Sequence, residues 1–203
     1  MQRSLCKVTF ANMSGDNRVR LDPTSLRGVA HPLRVRILGL LRQDGPATST
    51  TLAERLGLST GATSYHLRQL AAYGFVVEET GRGVGRERWW RAAHVGTVLE
   101  EETVRQAPAD AETYLRAVAA SYADAVERWL GESQVLPEEW RAGSTLSDWK
   151  LRLTAAEAAR LHTELTALVD SYRQHSEPDP PEGAELVALQ VELMPFVRRA
   201  DDG

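Results

Sequence analysis

The first half of the chain places apolar residues at helical spacing between short polar turns. Asp22 and Pro23 are typical of a helix start, and a new helix begins at Pro32 because the residue before a proline is pushed out of the helical region. The apolar face of this second helix carries Leu33, Ile37, Leu40 and Leu41. The dipeptide Gly45-Pro46 ends it.

Residues 48–59 predict a third helix and a tight turn. The hydroxyl-rich segment 48–51 caps the helix, and its small inner face holds Leu52, Ala53 and Leu56. Gly57 supplies the positive φ of the turn. We expect Leu58 to fill the core and Ser59 to cap the helix that follows.

The fourth helix has an inner apolar face and an outer polar face. We expect the inner face to pack in the core through Thr63, Leu67 and Leu70. The outward positions are mostly short or polar, and they are Thr60, Gly61, Ser64, Tyr65 and Arg68. Two helices joined by a tight turn, the second with such a face, are typical of a helix-turn-helix whose second helix enters the major groove of DNA.

A hairpin follows the fourth helix. Residues 75–77 begin one strand and residues 87–91 form the return strand, joined by a glycine-rich tip that bears Arg82 and Arg86. The tryptophans at positions 89 and 90 point to opposite faces because successive side chains alternate in a strand. One of them can seal the core, and the other can cover a neighbouring helix or a dimer partner.

The second half of the chain predicts helix, strand, helix and strand. A long helix runs from Ala109 to Gly131, and residues 149–153 alternate apolar and charged side chains as a half-buried strand does. A capping box at Thr154 opens the next helix, and residues 187–193 alternate again. The predicted fold class is mainly α with small β (α+β), a winged helix-turn-helix followed by a helix-strand-helix-strand C-terminal domain.

Charge is unevenly distributed along the chain. Residues 20–91 hold eleven arginines against six acidic residues, whereas residues 92–203 hold ten basic and twenty-one acidic residues. DNA affinity confined to one domain would produce this pattern, and chance clustering of surface charge is the alternative. We expect a flexible leader at 1–20, a winged helix-turn-helix DNA-binding domain at 21–95, and a dimerisation and possible effector domain at 96–203.

Hydrophobicity and the absence of catalytic motifs bear on whether the chain is a membrane protein, a secreted protein or an enzyme. No uncharged apolar run approaches the ~18 residues of a membrane span, and residues 1–20 lack a signal-peptide core, so we expect a cytoplasmic protein with no membrane partner. The sequence contains no nucleophile elbow, phosphate loop or paired-histidine metalloprotease motif, which argues against an enzyme.

We expect no bound metal and no other cofactor. Cys6 is the only cysteine, so one chain can form neither a disulfide nor a thiolate cluster. No two histidines lie on adjacent turns of one helix, as their positions show: His31, His66, His94, His162 and His175. A metal site between subunits and a redox role for Cys6 stay open.

Several runs of this sequence resemble the ArsR-type winged-helix repressors. They are LRVRIL at 33–38, LAERLGLS at 52–59 and SYHLRQL at 64–70, followed by Gly74-Phe75-Val76 and a wing of glycine and arginine. The resemblance covers roughly residues 22–95. Two positions depart from the family, which often has Asp in place of His31 and a second His in place of Tyr65.

This resemblance implies a homodimeric bacterial repressor that reads an inverted-repeat operator in double-stranded DNA, with half-sites about one helical turn apart. By the resemblance and the helical facing, the base contacts are expected from Thr60, Gly61, Ser64 and Tyr65. The backbone or wing contacts are expected from Ser59, Thr63, Arg68, Gln69, Arg82, Arg86 and Arg88. His66 is expected to be structural. A winged helix used only for protein contacts, without sequence-specific DNA binding, is the alternative.

The C-terminal half more weakly resembles the extended halves of some actinobacterial ArsR-like regulators. One interpretation is a pocket for a small-molecule effector near Trp129, Trp140 and Trp149. The other is that these aromatic side chains fill the core and the dimer interface.

Overall fold

The computed structural model describes residues 8–9, 17–82, 87–173, 175 and 179–196, and Cys6 and Arg86 lie outside them. The helices are α1 (Pro23–Val29), α2 (Pro32–Gln43), α3 (Ser49–Leu56), α4 (Thr60–Ala72), α5 (Glu101–Gln106), α6 (Pro108–Glu132), α7 (Glu138–Gly143) and α8 (Ala155–Asp170). The strands are β1 (Val8–Thr9), β2 (Arg18–Arg20), β3 (Ala47–Thr48), β4 (Val76–Glu79), β5 (Trp89–Ala92) and β6 (Gly96–Leu99). The predicted class, α+β with a winged helix, is confirmed. The described residues up to 136 form one unit and those from 137 form another.

Side-chain caps set the helix starts of the first unit. Asp22 and Ser25 form a capping box at α1. His31 Nδ1 accepts from the Leu33 amide at the start of α2, where the sequence predicted a new helix. Thr48 and Ser59 cap α3 and α4 in the same way. Each cap satisfies an amide that has no partner within its helix, which is typically worth about 1 kcal/mol.

The wing is the three-stranded sheet β3-β5-β4, in which both pairings are antiparallel. Trp90 lies opposite Ala47 across one ladder and opposite Glu78 across the other. Its side chain is buried in the core, whereas Trp89 on the opposite face is only half-buried. The alternation predicted for the two tryptophans is therefore confirmed, and Trp90 is the one that seals the core.

A second sheet, in the order β1-β6-β2, was not predicted from the sequence. In it β2 runs parallel to β6 with Val19 opposite Thr97, and β1 pairs antiparallel to β6. Residues 18–20 are therefore paired strand, although they fall within the segment expected to be a flexible leader. These strands are only two to four residues long, too short to give a period-two signal.

The core of the first unit lies between the helix-turn-helix and α6. Its fully buried side chains include Leu26, Ile37, Leu52, Leu67, Leu70 and Phe75. Helix α6 packs against α1 and α2 through its first half, where Ala111, Tyr114, Ala117 and Val118 are buried. Burying one Leu or Phe side chain contributes about 1.5–3 kcal/mol, so this set of contacts fixes α4 relative to α2 and the wing.

Two predictions for the first unit were wrong. The first concerns Leu58, which does not fill the core, since the residue is 40% exposed. It follows Gly57, whose φ of 66° turns the chain away from the core before α4 begins. The second concerns residues 100–108, whose acidic start and proline end predict, from the sequence alone, an exposed connection or helix end. They contain α5, in which Val104 is buried and the Thr103 hydroxyl donates to the Leu21 carbonyl at 2.6 Å.

The second unit contains α7 and α8, and the capping box predicted at Thr154 and Glu157 opens α8. The strands predicted at 149–153 and 187–193 are not formed in the described residues. A strand needs a neighbour to satisfy its backbone groups, and no described segment forms a ladder with either stretch. None of the described residues in this unit is buried.

Candidate nucleic-acid interface

The surface around the start of α4 is open to solvent. Ser59, Thr60 and Gly61 are exposed, and Tyr65 is 53% exposed one turn further along the helix. Ser64 is half-buried between them. The four residues predicted to contact bases therefore share one accessible region of α4, and its side chains are short except for Tyr65.

Gly61 lies in the first turn of α4 with open space beside it. A Cβ built on this residue would meet no atom of the protein within 4 Å. The protein itself therefore does not require glycine here, although alanine is the better helix former by up to about 1 kcal/mol. Amides in the first turn of a helix lack intrahelical partners and suit a phosphate.

The residues predicted to contact the DNA backbone from α4 differ in accessibility. Arg68 is exposed, with its Nε donating to the Ser64 carbonyl at 3.3 Å, and Gln69 is half-buried. Thr63 is 0% exposed, and its hydroxyl donates to the Ser59 carbonyl at 3.3 Å. The prediction that Thr63 packs inward fits this position. Its assignment as a DNA contact does not, because a fully buried side chain offers no surface to DNA.

His66 belongs to a ring cluster behind the exposed face. Its ring centroid lies 4.6 Å from that of His31 and 5.1 Å from that of Tyr65 in an edge-on arrangement. Burial lowers the pKa of both His31 and His66, and the charge of Arg34 lowers them further. The neutral rings therefore join α2 to α4 and support the Tyr65 ring from one side, which agrees with a structural role for His66.

The wing carries arginines close to acidic side chains. Arg82 lies 3.7 Å from the Glu79 carboxylate and has its guanidinium 5.4 Å from the Trp89 ring centroid. Arg88 lies 3.9 Å from the Glu78 carboxylate. Both arginines are exposed, so these pairs are weak and leave the arginines able to rotate toward a phosphate. Arg86, predicted for the same role, lies outside the described residues.

The three tryptophans proposed for an effector pocket are divided between the two units. Trp129 is half-buried on α6 in the first unit. Trp140 on α7 is half-buried and Trp149 is 74% exposed, both in the second unit. Within the described part of the chain, no group of three His, Cys, Asp or Glu side chains is arranged to hold a metal ion.

Arg34 is a further residue of this region that has no signal in the sequence pattern. It lies on α2, and burial lowers its pKa while the nearby Tyr73 and Tyr65 oppose that effect. A half-buried arginine behind the exposed face adds positive potential to the surface that presents Tyr65. Helical spacing predicts only that Arg34 lies outside the apolar face of α2. Its position behind the exposed face of α4 follows from the packing of α4 against α2.

Comparison with known proteins identifies this segment. Residues 29–79 match the family described as "Helix-turn-helix domain", from the last residue of α1 to the last residue of β4. A solved structure of a Lactococcus lactis ZitR double mutant in its apo form is similar at 17% identity, covering 74% of this chain and 84% of that chain with a TM-score of 0.28. No curated protein matches the sequence. Residues 29–79 are therefore a helix-turn-helix domain, the element that many transcription regulators use to bind DNA.

Proposed function

We propose that this protein is a double-stranded DNA-binding transcription regulator of the ArsR type that reads its operator with α4. The observation that carries the proposal is the open surface formed by Thr60, Gly61 and Tyr65 on the second helix of a helix-turn-helix domain. Such a helix fits the major groove, where base edges are distinguishable. A regulator of this kind acts by occupying DNA, so the proposal includes no catalytic step.

The contacts divide into two groups with different consequences. We assign the contacts to base edges, which select the sequence, to Thr60, Gly61, Ser64 and Tyr65. Ser59, Arg68 and Gln69 flank them, and Arg82 and Arg88 extend the contact to the backbone along the wing. Each neutralised phosphate steepens the decline of log affinity with log salt concentration by about 0.9. Loss of one arginine is therefore expected to weaken binding to all sequences alike.

The proposal includes a homodimer formed through the second unit. Large apolar side chains are exposed there, and the most exposed are Leu146, Trp149, Tyr172, Val187, Leu189, Met194 and Phe196. So many exposed large apolar side chains are unusual for a monomer, and an interface would bury them. A second copy is the occupant we propose, since two-fold symmetric helix-turn-helix proteins read inverted repeats.

The alternating stretches 149–153 and 187–193 support a dimer in which strands pair between copies. Trp149, Leu151 and Leu153 alternate with Lys150 and Arg152. Residues 187–193 alternate as well, although only one of their intervening residues is charged. A strand from the second copy would satisfy their backbone groups and cover one face of each. Light scattering on the full chain should give twice the 22.4 kDa of one chain. The variant Leu151→Asp with Val191→Asp should move the mass toward one chain, whereas Asp148→Asn should not.

The DNA proposal is tested by selecting bound sequences from random duplexes. The native protein should enrich an inverted repeat, and the Ser64→Ala, Tyr65→Ala variant should enrich a different or weaker consensus. Val135→Ala is the control, because Val135 is 82% exposed and lies outside both α4 and the apolar surface proposed for the dimer. Unchanged preference in the α4 variant would remove α4 as the reading helix.

A protein-interaction module remains the second candidate, because Arg82 and Arg88 are close to Glu79 and Glu78 in the structure. Its signature would be no enrichment of any DNA sequence together with no salt-dependent shift of random duplex.

We also propose that the protein acts in the cytoplasm as a repressor. No helix among its described residues is long and apolar enough to cross a membrane.

A further inference from the structure

A cavity of about 190 Å³ opens in the first unit between α1, α2, the start of β6 and α6. Much of its wall is apolar, with Val29, Val35, Leu38, Val95 and Val118 among the lining residues. An engineered cavity of about 150 Å³ is large enough to hold benzene. By proportion, this cavity accommodates an apolar group of about eight non-hydrogen atoms. It does not include Trp129, Trp140 or Trp149.

Arg42 also lines this cavity, as do the polar residues Ser121 and Tyr122. Its Nε donates to the His94 carbonyl at 3.0 Å, and its Nη2 donates to the Thr97 hydroxyl at 2.8 Å. These bonds use two of the five N–H groups of an arginine. Burial lowers the pKa of Arg42 to about 10, so the side chain still carries its charge at neutral pH. No carboxylate among the described residues forms an ion pair with it.

A structural role alone does not explain a charge at this position. The bonds to His94 and Thr97 join α2 to β6 and to the residues just before it, and they require N–H donors but not a charge. A charge in apolar surroundings is unfavourable unless an opposite charge compensates it. The wall also carries the hydroxyl of Tyr114, and burial raises the pKa of that group to about 12, so it stays protonated.

We infer that this cavity binds a small apolar monocarboxylate, whose carboxylate pairs with Arg42 and whose apolar group lies against Leu38 and Val118. A guanidinium and a carboxylate match in geometry because two parallel N–H bonds can form between them. The volume limits the ligand to a short branched, cyclic or aromatic side group. The binding site is complete within the first unit, so it depends neither on DNA binding nor on the proposed dimer.

The experiment is calorimetric titration of the full chain, without DNA, against isobutyrate, hexanoate, benzoate and phenylacetate. We expect at least one of them to bind once per chain with a dissociation constant of about 5 mM or tighter, given ligands of this size. The alcohol of matching shape, such as 2-phenylethanol for phenylacetate, should bind at least about 10-fold more weakly because charge-assisted hydrogen bonds are lost.

Three variants locate the site. Arg42→Gln should weaken carboxylate binding about 10- to 100-fold. Val118→Phe should abolish it by filling the cavity, and it carries the test if Arg42→Gln does not fold. Arg36→Gln, the same change on the exposed side of α2, is the control and should bind as the native protein does. No binding by any of the four acids, or equal binding by acid and alcohol, would overturn the inference, as would full binding by Val118→Phe.

Discussion

Gly28 sets how closely α1 approaches the end of α4. A Cβ added at Gly28 would lie 2.7 Å from both Cβ and Cδ1 of Tyr73, and closer still to Cγ. Alanine is favoured over glycine in a helix by up to about 1 kcal/mol. Overpacking of this kind costs about 1–3 kcal/mol. The cost of the clash should exceed the gain in helix propensity, so Gly28→Ala is expected to destabilise the fold by about 1 kcal/mol.

A double-mutant cycle separates the two effects. In a Tyr73→Ala background the ring is gone, so Gly28→Ala should instead stabilise by a few tenths to about 1 kcal/mol. Gly131→Ala is the control, because a Cβ there meets no atom within 4 Å and alanine should stabilise α6 without a clash. Urea unfolding of all four cycle proteins measures the free energies. Stabilisation by Gly28→Ala in the native background would refute the close approach of α1 and α4.

Two further predictions concern the helix-turn-helix. Gly61→Ala should raise the urea midpoint of unfolding, because the added Cβ meets no protein atom and alanine is the better helix former. The same variant should bind duplex DNA more weakly when binding is measured by fluorescence anisotropy. Tighter or equal DNA binding would contradict a close approach of the α4 backbone to DNA. His31 should lose its capping contribution of about 1 kcal/mol as the pH falls below its unfolded pKa of about 6.5, because its folded pKa is lowered and the cap needs an unprotonated Nδ1. His31→Asn keeps an acceptor that does not titrate, so the native protein should lose more stability than this variant between pH 7 and pH 5. Equal losses would contradict the role of His31, since Arg34 is present in both proteins and His66 loses only the part of its lowered pKa that the His31 charge causes.

The helix-turn-helix was predictable because its signals are local. Asp22, Thr48 and Ser59 are typical caps, and Gly57 marks a turn that needs positive φ. Helical spacing also gave the buried positions Leu67 and Leu70 and the exposed Tyr65. Each of these features depends on residues within about one or two helical turns, which is the range over which a single sequence is informative.

Features that depend on long-range contact were not predictable. The pairing of β2 with β6 joins residues about eighty positions apart in very short strands. The burial of Thr103 depends on the Leu21 carbonyl, and the position of Arg42 depends on His94 and Thr97. Nothing in the local spacing of these residues distinguishes them from surface polar groups.

The alternating residues of the C-terminal half show a second limit of prediction from sequence, in which a clear local pattern does not form the predicted element. Residues 149–153 and 187–193 have the period of strands, yet alternation reports only which side chains can share a face. Whether a ladder forms depends on a neighbouring strand, and none is formed with these stretches within the described residues. This is why the pattern at Leu151 and Val191 leads to a prediction about the oligomer rather than about one chain.

The most direct measurement of the central claim places a photo-crosslinking amino acid at position 65 and irradiates the protein with its selected duplex. Position 65 should crosslink to bases inside the inverted repeat, and excess unlabelled repeat should compete the product away. The same amino acid at position 172 should give no crosslink. Crosslinking from position 172 but not from position 65 would show that α4 is not the surface that meets DNA.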